Sequence, residues 1–485
     1  MEFTENKKYI PVIGLEVHAQ LLLTSKMFSA EGAAYGALPN TLVSTISLAH
    51  PGTLPTINKK AIEYAIKLGL ACKSAITGTN YFARKNYFYP DLPKGYQITQ
   101  DKTPICEGGH ITITTQQGLE REIELQRIHI EEDAGKSIHD MAAHETLLDF
   151  NRAGVALLEI VTRPDIQSPE EAYAFLTELR RLVRHLEICD GNMEEGSLRC
   201  DANISVMPSN ASKFGQRVEV KNMNSIKNVQ LAIEYEIARQ IEVLEKGSSV
   251  IAETRGYDAT SGKTISQRTK ESALDYRYFI EPDLPPLVVT EAWIEQIRKE
   301  MPLLPREYRA KFIQVYQISA YAASVLTETK ELALFFEELC KLTPHYTSAA
   351  NWLMGPVKAY LNELNLPLQE FPLSATTLAS LIDLIEKGEL SFSIASQQLF
   401  PALLANPTKA PLELAKELNL LQEKNTDTLQ ALVEAVIQAY PDKVLAYKNG
   451  KKGILGMLMG EIMQKSQGKA APALVSDLLK KELES

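Results

Sequence analysis

Cysteine is scarce in this chain, with five among 485 residues: Cys72, Cys106, Cys189, Cys200 and Cys340. They are odd in number, make no CxxC pair and do not cluster with histidine, so neither a disulfide framework nor a zinc ribbon is signalled. A reducing compartment fits them best. Long apolar runs are missing too. No uncharged stretch approaches the ~20 residues that span a bilayer, and Met1 to Lys8 hold no apolar segment of the secretory kind. We therefore expect a cytoplasmic protein with no membrane partner. Nor is there a basic excess: 51 Lys and Arg stand against 61 Asp and Glu, a net charge of -10. That balance argues against coating nucleic acid by bulk electrostatics and leaves room for a local basic patch. With 45% hydrophobic and 23% charged residues, wholesale disorder and fibrous repeats are excluded, and the length suits about two to four domains.

Up to about residue 290, short alternating segments punctuated by Gly, Asn and Pro predict strands and loops with a few helices. Beyond Thr290, Leu, Ala, Glu and Lys at helical spacing predict an all-α region, so the fold class is α+β. The seam Glu281-Pro282-Asp283-Leu284-Pro285-Pro286 and a second break at Asn406 to Pro411 divide the chain into 1–292, 293–408 and 409–485. Two helices can be placed in the first part. Ser168-Pro169-Glu170-Glu171 supplies a cap, a first-turn proline and an acid ahead of a stripe from Phe175 to Leu186. The other runs from about Ser225 through Leu244, stops at Gly247, and carries Val229, Ile233, Ile237 and Ile241 at four-residue steps.

The strands carry polar faces. In Val12 to Leu21, period two places Leu15, Val17, Ala19 and Leu21 on one side and Glu16, His18 and Gln20 on the other. Such a pair suits metal or phosphate handling, but alone it better suits a half-exposed strand with a solvated polar face. The pattern recurs. Ile128 to Glu131 aligns His129 with Glu131 and runs on into Glu132 and Asp133, a crowd of acids that calls for a cation. Glu159 sits alone in the apolar run Val155 to Val161, where an unpaired charge is costly. Asp201, Asn203 and Ser205 alternate with Ala202, Ile204 and Val206, and Glu219 and Lys221 with Val218 and Val220. Together these strands read as a sheet with one face on helices and the other lining a polar cavity, whose hard oxygen donors favour Mg²⁺ over zinc.

Three other segments carry charge. Arg84 to Asp91 sets two cations beside three aromatics, suited to phosphate or base contact or to an aromatic turn on a core. Ser261-Gly262-Lys263-Thr264 imitates the end of a P-loop, but five residues separate Gly256 from Gly262 where four are required, so a Walker-type NTPase is excluded. Between Asp442 and Lys469, six lysines face two acids, a local balance of +4 that suits either a phosphate backbone or a solvated face.

The segments Ile13 to His18, Arg84 to Asp91, His129 to Lys136, Met193 to Asn203 and Asp275-Tyr276-Arg277-Tyr278-Phe279 together resemble the family of B subunits of the aspartyl/glutamyl-tRNA amidotransferases. Asn351-Trp352-Leu353-Met354-Gly355 and the Gly453 to Lys465 stretch carry the resemblance through both helical regions. No synthetase-like insertion is apparent, which favours the bacterial or organellar type. The resemblance implies an antiparallel-sheet cradle of the glutamine synthetase and guanido kinase type, a helical domain, and a small tail domain that contacts tRNA. It implies a heterotrimer in which an amidase-type A subunit frees ammonia from glutamine and a small C subunit holds the assembly together. The B subunit then uses ATP and Mg²⁺ to activate the carboxylate of Glu-tRNA(Gln) or Asp-tRNA(Asn). Carried over by motif, Glu16, His18, Glu131, Glu132 and Glu159 are the expected metal-site residues. Lys85 is expected on the ammonia path or against phosphate, with Glu132 and Asp201 as further catalytic candidates. Lys448, Lys451, Lys452, Lys465 and Lys469 are the expected tRNA contacts. Some members hold zinc through cysteines; the scattered set here implies none. The chain shows no Gly/Ser-rich amidase signature of its own, consistent with a glutaminase in a partner. The rival expectation is a noncatalytic tRNA-binding scaffold.

Overall fold

The computed structural model describes residues 8–115, 117–139, 141, 144–269, 275–423, 425–466 and 468–484. Residues 1–7, the greater part of the polar N-terminal segment, lie outside them. The chain divides into two compact units, the first closing at Leu304 and the second opening at Pro305.

In the first unit the site depends on β1 (Tyr9–Gln20), β2 (Ala83–Asn86), β3 (Tyr96–Thr99), β4 (Glu120–Glu132), β5 (Ala156–Thr162), β6 (Leu198–Pro208), β7 (Val218–Lys221), β8 (Glu253–Asp258) and β9 (Lys263–Thr269). The order β9-β8-β7-β6-β1-β5-β4 forms the body of a ten-stranded sheet. Its neighbours run antiparallel except β7 and β8, which pair in parallel. The sheet is therefore mixed rather than antiparallel throughout. The reason is the intervening helix α3 (Ile226–Glu245), because a crossover of that length returns the chain in its original direction.

Helix α2 (Pro169–His185) starts as its sequence predicts, with Ser168 Oγ accepting from the Glu171 N–H at 3.2 Å and Pro169 in the first turn. Helix α3 is capped by Ser225 and ends before Gly247, whose φ of +74° suits glycine. Both helices cover the apolar face of the sheet, and α1 (Lys59–Ala71) packs into the same core. Leu15, Val17, Ala202, Ile204, Phe175, Leu179, Val229 and Ile233 are fully buried in one core. The other face is left to Glu16, His18, Asp201, Asn203 and Glu159. The P-loop imitation is the turn of the β8–β9 hairpin, with Gly262 at φ +66°.

Helix α4 (Glu291–Glu300) buries Ile294 and Ile297 in the first core, within the unit that closes at Leu304. The second unit is helical and has two apolar clusters, one from Tyr308 to Leu420 and one from Leu429 to Leu483. Helix α5 (Pro411–Glu417) contributes Leu414 and Ala415 to the former, and the second cluster begins at Leu429. Four helices build it: α6 (Thr426–Ala439), α7 (Pro441–Lys448), α8 (Ile454–Lys465) and α9 (Pro472–Glu484). Among the described residues no helix is long and apolar enough to cross a membrane. All five cysteines are buried free thiols.

Candidate active site

Antiparallel register brings the polar residues of three strands into one row: His18 on β1 lies opposite Glu159 on β5, and Glu159 opposite His129 on β4. Two residues further along β4, on the same face, is Glu131. The Nε2 atom of His18 stands 3.3 Å from Glu131 Oε1 and 3.5 Å from Glu159 Oε2, and that of His129 stands 3.1 Å from Glu159 Oε2. Thr99 Oγ1 on β3 donates to Glu131 Oε2 at 3.4 Å. Burial opposes charge on His18, but the two carboxylates outweigh it and raise its pKa to about 10. Burial likewise pushes the acids up. The His18 hydrogen bond holds Glu131 below its ordinary value, and His129 with His18 holds Glu159 well below.

One ligand atom from each of His18, Glu131 and Glu159 fits within a 4.8 Å group, a compact donor set of two carboxylates and an imidazole. Glu16 occupies the next row, accepting from Asn203 Nδ2 at 2.8 Å; burial and the charge on Glu159 raise its carboxyl. Lys85 on β2 is half-buried beside this group. Burial disfavours its ammonium, and Glu131 and Glu159 more than compensate, so its pKa is raised.

The expected crowd of Glu131, Glu132 and Asp133 does not form: Glu132, next to Glu131 on the strand, points to the opposite face, and Asp133, just past the strand's end, is taken up by two arginines. Glu132 turns away from the histidines, pairs with Lys94, and accepts from the Ile98 N–H at 2.8 Å. Asp133 pairs with Arg199 at 2.7 Å and Arg152 at 3.4 Å. Glu132 thus stands outside the compact donor group. Asp201 lies opposite Glu16 on β6 and is held by Lys221. A cavity of about 1260 Å³ opens along this side, lined by Lys85, Tyr87, Phe88, Gln97, Lys221 and Tyr276 among others. In the second unit, Lys448, Lys451, Lys452 and Lys465 are exposed and Lys469 is half-buried.

A family model described as "GatB/GatE catalytic domain" matches residues 11–295, and one described as "GatB domain" matches 334–483. The chain belongs to the GatB/GatE family. Among curated proteins, one from Paramagnetospirillum magneticum is 47% identical over 97% of both chains, and one from Geotalea uraniireducens is 47% identical over 98% of this chain and 99% of its own. A third, from Thermodesulfovibrio yellowstonii, is 46% identical over 98% of this chain and 99% of its own. Each is named as the B subunit of an aspartyl/glutamyl-tRNA(Asn/Gln) amidotransferase.

In this GatB/GatE chain, one position in the site and one behind it are hard to read from sequence. His129 reads there only as a strand neighbour of Glu131, yet it is the nearest partner of Glu159; the demand of a buried lone acid for a partner is the signal that points to it. Lys94 lies in a loop with no periodicity to mark it, and pairs with Glu132 across 38 residues.

Proposed function

We propose that this chain activates the side-chain carboxylate of a misacylated tRNA, Glu-tRNA(Gln) or Asp-tRNA(Asn), as the B subunit of a glutamine-hydrolysing amidotransferase. The observation that carries this is the His18, Glu131 and Glu159 group on the polar face of the sheet, beside Lys85 and an open cavity. A carboxylate is a poor acyl donor because oxide would have to leave; phosphorylation by ATP gives an acyl phosphate that ammonia can attack. Glu131, Glu159 and His18 fit a Mg²⁺ ion, with Glu16 as the adjoining acid. When bound, the ion neutralises phosphoryl oxygen charge. For His18 to serve as a ligand, Nε2 must give up the proton that Glu131 and Glu159 hold there. Lys85 supplies a fixed ammonium beside the acids, suited to orient phosphate or the incoming ammonia. Asp201 and Lys221 position each other at the far side, and Glu132 with Lys94 stands behind β4.

The name shared by the relatives supports an enzyme of several subunits, and we assign two partners, a small C subunit together with an amidase-type A subunit. We further propose a cradle of the glutamine synthetase and guanido kinase type for the first unit and tRNA contact for the tail lysines 448, 451, 452, 465 and 469. The test is Glu131→Gln in the assembled enzyme, with phosphorylation of Glu-tRNA(Gln) measured apart from glutamine hydrolysis. Phosphorylation should fall by more than about 100-fold, beyond what losing an outer partner of a metal ligand costs. Unchanged phosphorylation would remove Glu131 from the metal site.

A further inference from the structure

Phe88 is 93% exposed and Tyr89 61% exposed, and both line the cavity beside Lys85. Single apolar side chains in water need no explanation, but here three more rings, those of Tyr87, Tyr276 and Phe279, line the same cavity. Tyr276 is held by Asn86, whose N–H donates to the Tyr276 carbonyl at 3.0 Å and whose Nδ2 donates to the carbonyls of Tyr276 and Arg277 at 3.1 and 2.9 Å. Its ring meets Tyr87 and Tyr278 edge-on at 6.1 and 5.8 Å, and Lys85 Nζ lies 5.1 Å from its centroid. Tyr276 is thus fixed in place, and the cavity it shares with Phe88 and Tyr89 also holds the ammonium groups of Lys85 and Lys221, the latter paired with Asp201 and Glu219.

We propose that Phe88, Tyr89 and Tyr276 form a stacking platform for an unpaired nucleobase. A base offers a flat π face to the rings while its attached anionic group points toward the ammonium of Lys85, a pairing that an apolar peptide segment would not satisfy. Resting on the carboxylate-activation reading, the platform has two candidate occupants of the same chemistry: the terminal base of the tRNA 3′ end, or the adenine of ATP. Either would be anchored one lysine away from Glu131 and Glu159.

The test uses the full chain and binding alone. The probes are an acceptor-stem RNA duplex with a single-stranded 3′ tail, the same RNA with an abasic terminal nucleotide, and ATP; the variants are Phe88→Leu and Phe88→Trp, which both keep an apolar side chain. Stacking on one ring is lost in Phe88→Leu, so affinity for the base-bearing RNA, or for ATP, should drop about 5- to 150-fold while Phe88→Trp retains it. A drop for RNA together with loss of the preference over abasic RNA assigns the 3′ end; a drop for ATP alone assigns the adenine. The platform is overturned if neither probe separates Phe88→Leu from wild type, or if Leu and Trp weaken binding equally. No turnover is read, so failure of the platform leaves the Glu131→Gln experiment intact, and the converse also holds.

Discussion

The Nε2 proton of His18 lies between two carboxylates that would otherwise repel each other in a largely dry setting. A divalent cation placed among the same atoms would do that proton's work, so the two should compete. His18 is raised from 6.5 to about 10 in the folded chain. Its contribution to stability is thus fully present below pH 6.5 and lost as pH climbs through about 10. In metal-free protein, stability should decline across that window, and its imidazole resonance should stay in the protonated position between pH 6.5 and 8. Binding of Mg²⁺ should release close to one proton, and affinity should rise about tenfold per pH unit below 10. Calorimetry in buffers of different ionisation enthalpy reads the proton directly; binding without proton release would remove His18 from the ligand set. At this scale the sequence is informative where chemistry creates a demand. Glu159, alone in an apolar run, announces that it needs a partner. It does not say that the partners come from two strands, because cross-strand register depends on pairings between segments far apart in the chain.

At the scale of elements, local capping rules place α2 and α3 within a residue or so of their observed ends, since Ser168 and Ser225 act through neighbouring N–H groups alone. Ser225→Ala should lower stability by about 1 kcal/mol in denaturant unfolding. The face of α3 is only half legible. Val229 and Ile233 are buried as expected, but its buried stripe then runs through Glu236 and Gln240, both fully enclosed, while Ile237 is only partly buried. The cause is the β8–β9 hairpin. Glu236 receives Arg239 at 2.5 Å, Thr264 Oγ1 at 2.9 Å and Gln240 at 2.9 Å, with Arg255 at 3.6 Å. No hydrophobic periodicity can reveal an acid that is buried because Arg255 and Thr264 of a distant hairpin join Arg239 three residues along the helix. Glu236→Ala leaves those cations beside a cavity, and the unfolding transition of the first unit should lose about 3–5 kcal/mol. A loss under about 1 kcal/mol, the worth of an exposed pair, would show that solvent reaches the network. The parallel β7–β8 pair escapes sequence reading for a related reason: strand direction is decided by the length of the connection, and α3 looks in sequence like cover for the sheet and not like a crossover within it.

For the whole molecule, the balance of -10 averages an acid-lined site in one unit with a local excess of lysine in the other. Where the second unit is cut decides whether that excess can be tested cleanly. The break at Asn406 to Pro411 is conspicuous in sequence because prolines interrupt helices, yet Leu414, Ala415 and Leu420 beyond it are buried in the middle cluster. A chain ending at residue 410 loses them, and each buried leucine removed costs about 2–5 kcal/mol, so that truncation should be unstable for reasons unrelated to RNA. Ending at Leu421 instead keeps the middle cluster and removes the separate core from Leu429 to Leu483 together with all five candidate lysines. This shorter chain should retain the thermal unfolding of the remaining parts and bind tRNA more weakly. The slope of log affinity against log salt should shrink by about 0.7–0.9 for every lysine that met a phosphate. Glutamine hydrolysis by the assembled enzyme should be unchanged, since the removed residues include none of the candidate-site groups on the sheet. Should the Leu421 chain bind tRNA with full affinity and an unaltered salt slope, Lys448, Lys451, Lys452, Lys465 and Lys469 are a solvated face.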